Sequence, residues 1–443
     1  MKMSSTTQMI AALIVAMIIL IFLLVKSRLN PFVSLIIGAL LAGILGGMNP
    51  LKVVDAIKTG FGNTLANLGI LILFGVMIGK VLEVSAATQS LGRAFVNTLG
   101  KGREIIAMVL TGFVTSLAIF CVPAFIMLFP LAKDISKRTG TSIYALGVAL
   151  AGGLLWSHTL VPPATGPIGG AGIFHADIAK TMLFGFIIGI PMAIFLIFYS
   201  KWLGKKFPDI AKDESDEVVK EEHSEHLPSP FLSILPIMIP VVLILASSGV
   251  AKLSASPLKT VFTTLGAPVV AMGLGLLFGI YTLLRHVDRK KVSSALDTGI
   301  EGGAKIFVLI AAGGALGNVV NQSGVGKIIA EGVSSAGLPA ILVPFIVSTL
   351  IRAIQGSGSV AILTTASITT PIMQTLGVDP VLATLAACVG SMFFSYYNDS
   401  YFWAITESIG AVKPKSQVLA WSLPTTVCWA IGGIEIFVLS LFF

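Results

Sequence analysis

Long apolar runs separated by short polar intervals dominate this chain. They lie at roughly 8–25, 30–47, 64–84, 104–132, 141–175, 178–200, 231–251, 260–284, 299–322, 338–373, 380–410 and 417–443. About 20 helical residues, each rising about 1.5 Å, cross a bilayer's hydrocarbon. In lipid every backbone amide and carbonyl must be satisfied within the protein, which favours helices. The pattern therefore predicts an all-α integral membrane protein with about ten to twelve transmembrane helices. The first run, Met9 to Val25, has the length of a signal-peptide core. It lacks a cationic start and a small-residue cleavage site, and Lys26-Ser27-Arg28 follows it, so a retained helix is expected. The interval 201–230 is different in kind. Lys205-Lys206 precedes Asp213-Glu214, Asp216-Glu217 and Glu221-Glu222, a composition that cannot bury a core and reads as a solvated cytoplasmic linker. Its His223 and His226 are read as solvated rather than ligating.

The chain repeats itself. Shifted by 238 residues, Gly75 lands on Gly313, Gly79 on Gly317, Val122 on Val360, Gly152 on Gly390 and Ser157 on Ser395, without a gap. This divides the chain into N-terminal helices (1–60), a first repeat (61–200), the linker (201–230), connecting helices (231–298) and a second repeat (299–443). Charge then constrains the geometry. If 104–132 is a hairpin that enters and leaves on one side, the basic clusters at Lys26/Arg28, Arg93/Lys101/Arg103, Lys133/Lys137/Arg138, Arg285/Arg289/Lys290/Lys291 and Lys413/Lys415 share one face, with the basic start of the linker. The other face keeps mainly Lys52, Lys58, Lys252, Lys259 and Lys327. Cytoplasmic loops carry such an excess of Lys and Arg. The same count sends the second hairpin, 338–373, in from the opposite side, which makes the repeats inverted.

Four stretches interrupt apolar helices with Pro, Gly or polar residues. They are 119–123, 157–167, 355–359 and 396–400, the second and fourth breaking the helices 141–175 and 380–410. Proline removes an amide donor, and irregular backbone at membrane depth survives only where it lines a cavity or is buried in protein. Half-helix N-termini there offer amides and partial positive charge to an anion. Hydroxyls of Ser157, Thr159, Ser357 and Ser359 can bond a polyol, with Gln355 and Asn398 as further polar groups. His158 and Arg352 are the cationic candidates for a substrate carboxylate. Asp399 serves as a proton carrier or as the N-cap of a half-helix starting near Tyr401, roles one residue can combine. Glu407, two turns on, is a second candidate proton site. Lys80 and Glu83 are spaced to form an interfacial pair, and Gly38, Gly43 and Gly47 to pack helices closely.

These motifs resemble the gluconate permease family (gluconate:proton symporters) of the ion transporter superfamily. The resemblance is carried by His158-Thr159-Leu160-Val161-Pro162-Pro163, Gly356-Ser357-Gly358-Ser359-Val360-Ala361 and Asn398-Asp399-Ser400-Tyr401-Phe402-Trp403. Phe174-His175-Ala176-Asp177-Ile178 and the stretch from Phe74-Gly75 to Glu83-Val84-Ser85 add to it. It spans nearly the whole chain and implies a two-hairpin inverted-repeat fold. It also implies proton-coupled uptake of sugar acids or related small carboxylates, D-serine in some members. Two departures flank the expected site and bear on the substrate rather than the class. The first hairpin tip reads Phe120-Cys121-Val122 where sugar-acid members are more polar and often acidic, and Tyr396-Tyr397 stands where they tend to have His before Val-Asn-Asp.

Composition narrows the function. Apolar residues make up 55% of the chain and charged residues 11%, and the mean hydropathy is +0.95, far from a soluble domain. The net charge of +8 is the loop bias already described, not a nucleic-acid footprint. Cys121, Cys388 and Cys428 lie in apolar stretches with no metal-ligand spacing. No His-x-x-x-His, paired intramembrane carboxylates, Gly-x-Ser-x-Gly or nucleotide loop supports an enzyme or a primary pump. The reading is a secondary transporter of a bacterial-type inner membrane: a proton-coupled symporter of a small organic acid, without cofactor. The alternative is a sodium-coupled carboxylate transporter or sodium/proton antiporter of similar architecture. The partners expected are the small anionic substrate and the lipid bilayer, no nucleic acid, and with a homodimer left open.

Overall fold

The computed structural model describes residues 29–100, 102–211, 227–250, 257–323 and 339–442, with four isolated positions of the first apolar run. Most of that run, the middle of the linker with His223 and His226, and the basic residues Lys26, Arg28, Lys101, Lys252 and Lys327 lie outside the described residues. The described chain is helical. In order the helices are α1 (Pro31–Leu45), α2 (Pro50–Val84), α3 (Ala87–Leu99), α4 (Glu104–Ser116), α5 (Cys121–Thr139), α6 (Ile143–Leu160), α7 (Thr165–Phe174), α8 (Ile178–Lys206), α9 (Pro230–Val250), α10 (Pro257–Leu265), α11 (Pro268–Leu283), α12 (Arg289–Ser323), α13 (Leu342–Gln355), α14 (Gly358–Thr375), α15 (Pro380–Gly390) and α16 (Ser400–Ser408). The last, α17 (Pro414–Leu439), contains a π-helical turn at Val418–Ser422.

Caps and prolines place several starts. Asn30, Asn49, Asp177 and Asp379 cap α1, α2, α8 and α15 through their side-chain oxygens, which satisfies an amide the first turn leaves open. Among the described residues five spans are long and apolar enough to cross a membrane, namely α2, α6 continued by α7, α8, α9 and α17, and the bent pair α10–α11 makes a sixth. Shorter apolar helices include α4, α13 and α15. The apolar runs at 104–132, 338–373 and 380–410 thus do not form single long helices. Each is divided at its polar interruption.

The 238-residue shift extends to the secondary structure. It carries the start of α4 (Glu104) onto Leu342, the first residue of α13, and the start of α5 (Cys121) onto Ser359, in the first turn of α14. In the same way α1 corresponds to α11, α2 to α12, α6 to α15, α7 to α16 and α8 to α17. The corresponding helices α2 and α12 pack along their lengths and run antiparallel. Gly60 faces Gly314 and Asn318, Gly69 faces Phe307, and Gly303 faces Leu73 and Val76. A methyl group on Gly60 would sit 2.5 Å from the carbonyl oxygen of Gly314, so backbone contact there requires glycine. The pair α8 and α17 is also antiparallel: Gly432 faces Met192, and the Tyr199 hydroxyl donates to the Leu419 carbonyl at 2.5 Å.

Helices α4 and α5 fold back on one another. Gly92 of α3 touches both Thr111, before the break at 117–120, and Leu128, after it. Lys80 and Glu83 pair at 2.8 Å on α2. Gly43 packs against Val53 and Val319.

Candidate substrate cavity

The four breaks meet in one place. At the second hairpin tip, Gly356 ends α13 with φ +82°, a backbone region that favours glycine. A side chain there would also strike the backbone of Asn398. The glycine thus lets the tip press directly on the break between α15 and α16. Three contacts hold the tip there. Tyr396 Oη and Asn398 Nδ2 donate to the Ala353 carbonyl at 2.7 and 3.2 Å, and Arg352 Nη2 donates to Asp399 Oδ2 at 2.6 Å. Opposite, the first hairpin tip is closed by Ser116 Oγ donating to the Ile119 carbonyl at 2.9 Å, and Phe120 precedes α5.

Between the two tips and the ends of the broken helices lies a cavity of about 420 Å³. His158, Thr159, Arg352, Gln355, Ser357, Ser359, Asn398 and Asp399 all line it. Glu407 does not: it is exposed, two turns along α16 from the break. The carboxylate expected as a second proton site is therefore separated from the cavity, because α16 carries it away from the break at about 1.5 Å per residue. Ser157 is likewise turned away. It is fully buried, and its Oγ lies 3.5 Å from the Leu154 carbonyl on its own helix.

The charges in the cavity wall are already matched to each other. Asp399 Oδ2 accepts from Arg352 Nη2 and, at 2.5 Å, from Ser395 Oγ, while Oδ1 accepts from the Tyr401 amide at 2.9 Å. Only 6% of the Arg352 side chain and 10% of that of Asp399 are exposed. Two expectations change as a result. Arg352 is not a free cation waiting for a substrate. The N-terminus of α16 is not an open anion site either, because Asp399 takes the N-cap role that the sequence offered it. Ser395, which sequence reasoning missed, is the third partner of this cluster. The signal available was its correspondence to Ser157 at the 238-residue shift.

What remains for an anion is the start of α14. The Ser357 side chain caps it with a long 3.5 Å contact to the Val360 amide. The amides of the first turn have no partner within a helix and carry its partial positive charge. The first turn of α5, at Cys121 and Val122, reaches the same cavity from the other repeat. Among the described residues, Arg352 Nε and Gln355 Oε1 are buried without hydrogen-bond partners, so each has bonding capacity left. His158 Nε2 lies 3.5 Å from Ser359 Oγ, and its ring meets Phe120 edge-on at 5.6 Å between centroids, joining the two repeats across the cavity.

The sequence pattern of the GntP family permeases matches residues 8–442. This chain belongs to that family. Relatives extend over the full length. An uncharacterized permease of Haemophilus influenzae is 40% identical over 98% of this chain and 92% of its own. A gluconate permease of Pseudomonas aeruginosa is 31% identical over 99% of both chains. Among solved structures, the YdaH transporter of Alcanivorax borkumensis, described as having an unusual topology, shares the fold. It superposes with a TM-score of 0.66 at 17% identity, over 93% of this chain and 98% of that one. The GntP chain is thus a multi-pass permease of a bacterial inner membrane and not an enzyme.

Proposed function

We propose that this GntP permease takes up a small organic anion of the sugar-acid and hydroxy-acid class together with protons, by exposing the cavity alternately to the two sides of the membrane. The observation that carries the reading is the Arg352–Asp399 pair in the cavity wall, beside the N-terminus of α14, which only the long Ser357 contact caps. A substrate carboxylate drawn to α14 competes with Asp399 for the Arg352 guanidinium. With the substrate on Arg352, the site holds two carboxylates and one fixed cation. Burying that excess charge is costly, and a proton on Asp399 restores neutrality. Release of the substrate returns Asp399 to Arg352 and frees the proton. Substrate and proton thereby move together, and Ser395 and the Tyr401 amide keep Asp399 in place throughout.

Two further findings support this reading. Relatives include a gluconate permease and an L-idonate transporter of Escherichia coli, the latter 33% identical over 87% of this chain. The antiparallel courses of α2 with α12 and of α8 with α17 suit an inverted repeat, the arrangement in which one repeat rocks against the other around a central site.

Sodium coupling draws on a different observation. A void of about 20 Å³ beside His158 is lined by the first hairpin tip and residues 163–165, and the Thr165 hydroxyl there is buried without a partner among the described residues. Hydroxyls, unwound carbonyls and half-helix ends are sodium ligands in transporters.

The test is uptake of labelled acids, gluconate and 2-hydroxybutyrate among them, by proteoliposomes carrying either a pH gradient without sodium or a sodium gradient at equal pH. Accumulation under the pH gradient is expected in the wild type. Asp399→Asn is expected to lose it while retaining exchange of internal for external substrate. Accumulation driven by sodium alone would replace the proton mechanism with the sodium one.

A further inference from the structure

The cavity has two unlike walls. Its polar groups come almost entirely from the second repeat: the Arg352–Asp399 pair, Gln355, Ser357, Ser359 and Asn398. The wall from the first repeat is mainly apolar, with Phe120, Val122 and Leu155 beside its two polar groups His158 and Thr159, and Leu309, Ile362 and Leu363 of the second repeat add further apolar surface. The asymmetry is written into the repeat. At the 238-residue shift Val114 corresponds to Arg352, Leu117 to Gln355, Cys121 to Ser359 and Val161 to Asp399. The positions that carry charge, amide or hydroxyl in the second repeat carry apolar side chains or a thiol in the first.

From this we infer that the site selects, within the organic-anion class, short hydroxycarboxylates whose polar groups cluster at one end and whose remainder is hydrocarbon, over fully hydroxylated sugar acids of the same size. The inference rests on the reading of the cavity as an organic-anion site. A carboxylate at α14 and Arg352, with a 2-hydroxyl near Gln355, Ser359 or Asn398, uses every partner the polar wall offers. The rest of the molecule then faces Phe120, Val122 and Leu155. An alkyl chain there loses water to apolar contact, which is favourable. A polyol chain must place most of its hydroxyls against these carbons, where only His158 and Thr159 offer partners, and a buried hydroxyl without one is unfavourable. A hydrophobic pocket resists an added hydroxyl by about a hundredfold at most, so the expected preference is about ten- to a hundred-fold. Val122 is the specificity-determining position, because it projects from the first turn of α5 into the apolar wall and Thr has nearly its shape.

The experiment compares two pairs: 2-hydroxybutyrate against glycerate, isosteres that exchange methyl for hydroxyl, and 2-hydroxyhexanoate against gluconate, which share a six-carbon backbone and differ by the four hydroxyls on C3 to C6. Thermal stabilisation of the purified, detergent-solubilised protein, titrated with each acid, gives apparent affinities without a label. In the wild type the alkyl member of each pair is expected to bind at least tenfold more tightly. Val122→Thr is expected to narrow that ratio by about tenfold, chiefly by improving glycerate. Gluconate binding more tightly than 2-hydroxyhexanoate, or Val122→Thr changing both members of a pair equally, overturns the inference and leaves the organic-anion reading standing. Stabilisation by none of the four acids overturns that reading, and the inference with it.

Discussion

Breaking the Arg352–Asp399 pair from one side exposes how the cavity wall is held together. Asp399→Asn keeps the side chain's shape and an oxygen able to accept from the Tyr401 amide. It replaces the acceptor Oδ2 with a neutral amide group, so Arg352 Nη2 and Ser395 Oγ lose the carboxylate they both address. Arg352 cannot swing into water, because 94% of its side chain is covered, and its Nε already lacks a partner among the described residues. An uncompensated charge buried in this way costs about 3–5 kcal/mol. Arg352→Gln should cost less, toward the lower end of that range, since Asp399 keeps Ser395 and the Tyr401 amide. The double variant removes both charges and leaves two amide side chains able to bond each other. It should therefore be more stable than the sum of the single costs predicts, by about 1–3 kcal/mol, the range typical of directly interacting residues. The assay is unfolding in mixed micelles titrated with SDS, followed by tryptophan fluorescence, for the wild type, both single variants and the double variant. Single costs below about 1 kcal/mol, or strictly additive effects, would refute the claim that this pair is buried and mutually dependent.

Two further predictions test the frame and the boundary of the site. Gly60→Ala should destabilise the α2–α12 crossing by about 1–3 kcal/mol, because its Cβ would lie 2.5 Å from the Gly314 carbonyl oxygen; the same unfolding assay checks it, and Gly62→Ala, which has open space around it, is the control. Glu407→Gln should leave uptake rate and pH-gradient dependence within about twofold of wild type in the proteoliposome assay, since the exposed Glu407 does not line the cavity.

Much of this protein can be read from the order of its residues. The apolar runs determined a helical membrane protein, since a bilayer leaves few ways to satisfy a backbone. Proline, glycine and clustered polar residues pointed to breaks at 119–123, 157–167, 355–359 and 396–400, and the helices are interrupted close by, at 117–120, 161–164, 356–357 and 391–399, because the residues that interrupt a helix are themselves the local cause. That is why His158, Gln355, Ser357 and Asn398 could be placed at the cavity before any coordinates. The 238-residue shift likewise predicted which helices correspond. Partnership was not legible. Arg352 and Asp399 are 47 residues apart, and no local rule states that the cation beside one break neutralises the carboxylate of another. Their pairing and the third role of Ser395 are products of how the second hairpin tip meets the broken helix through Gly356, whereas the Asp399 cap of α16 was legible in the sequence. Distance along a helix also misled: Glu407 is near Asp399 in sequence, but two turns of α16 carry it out of the cavity. Finally, the two walls of the cavity come from α5, α6, α12, α13, α14 and the 391–399 break. Only packing brings those segments together, so only the tertiary structure decides that one wall is polar and the other apolar.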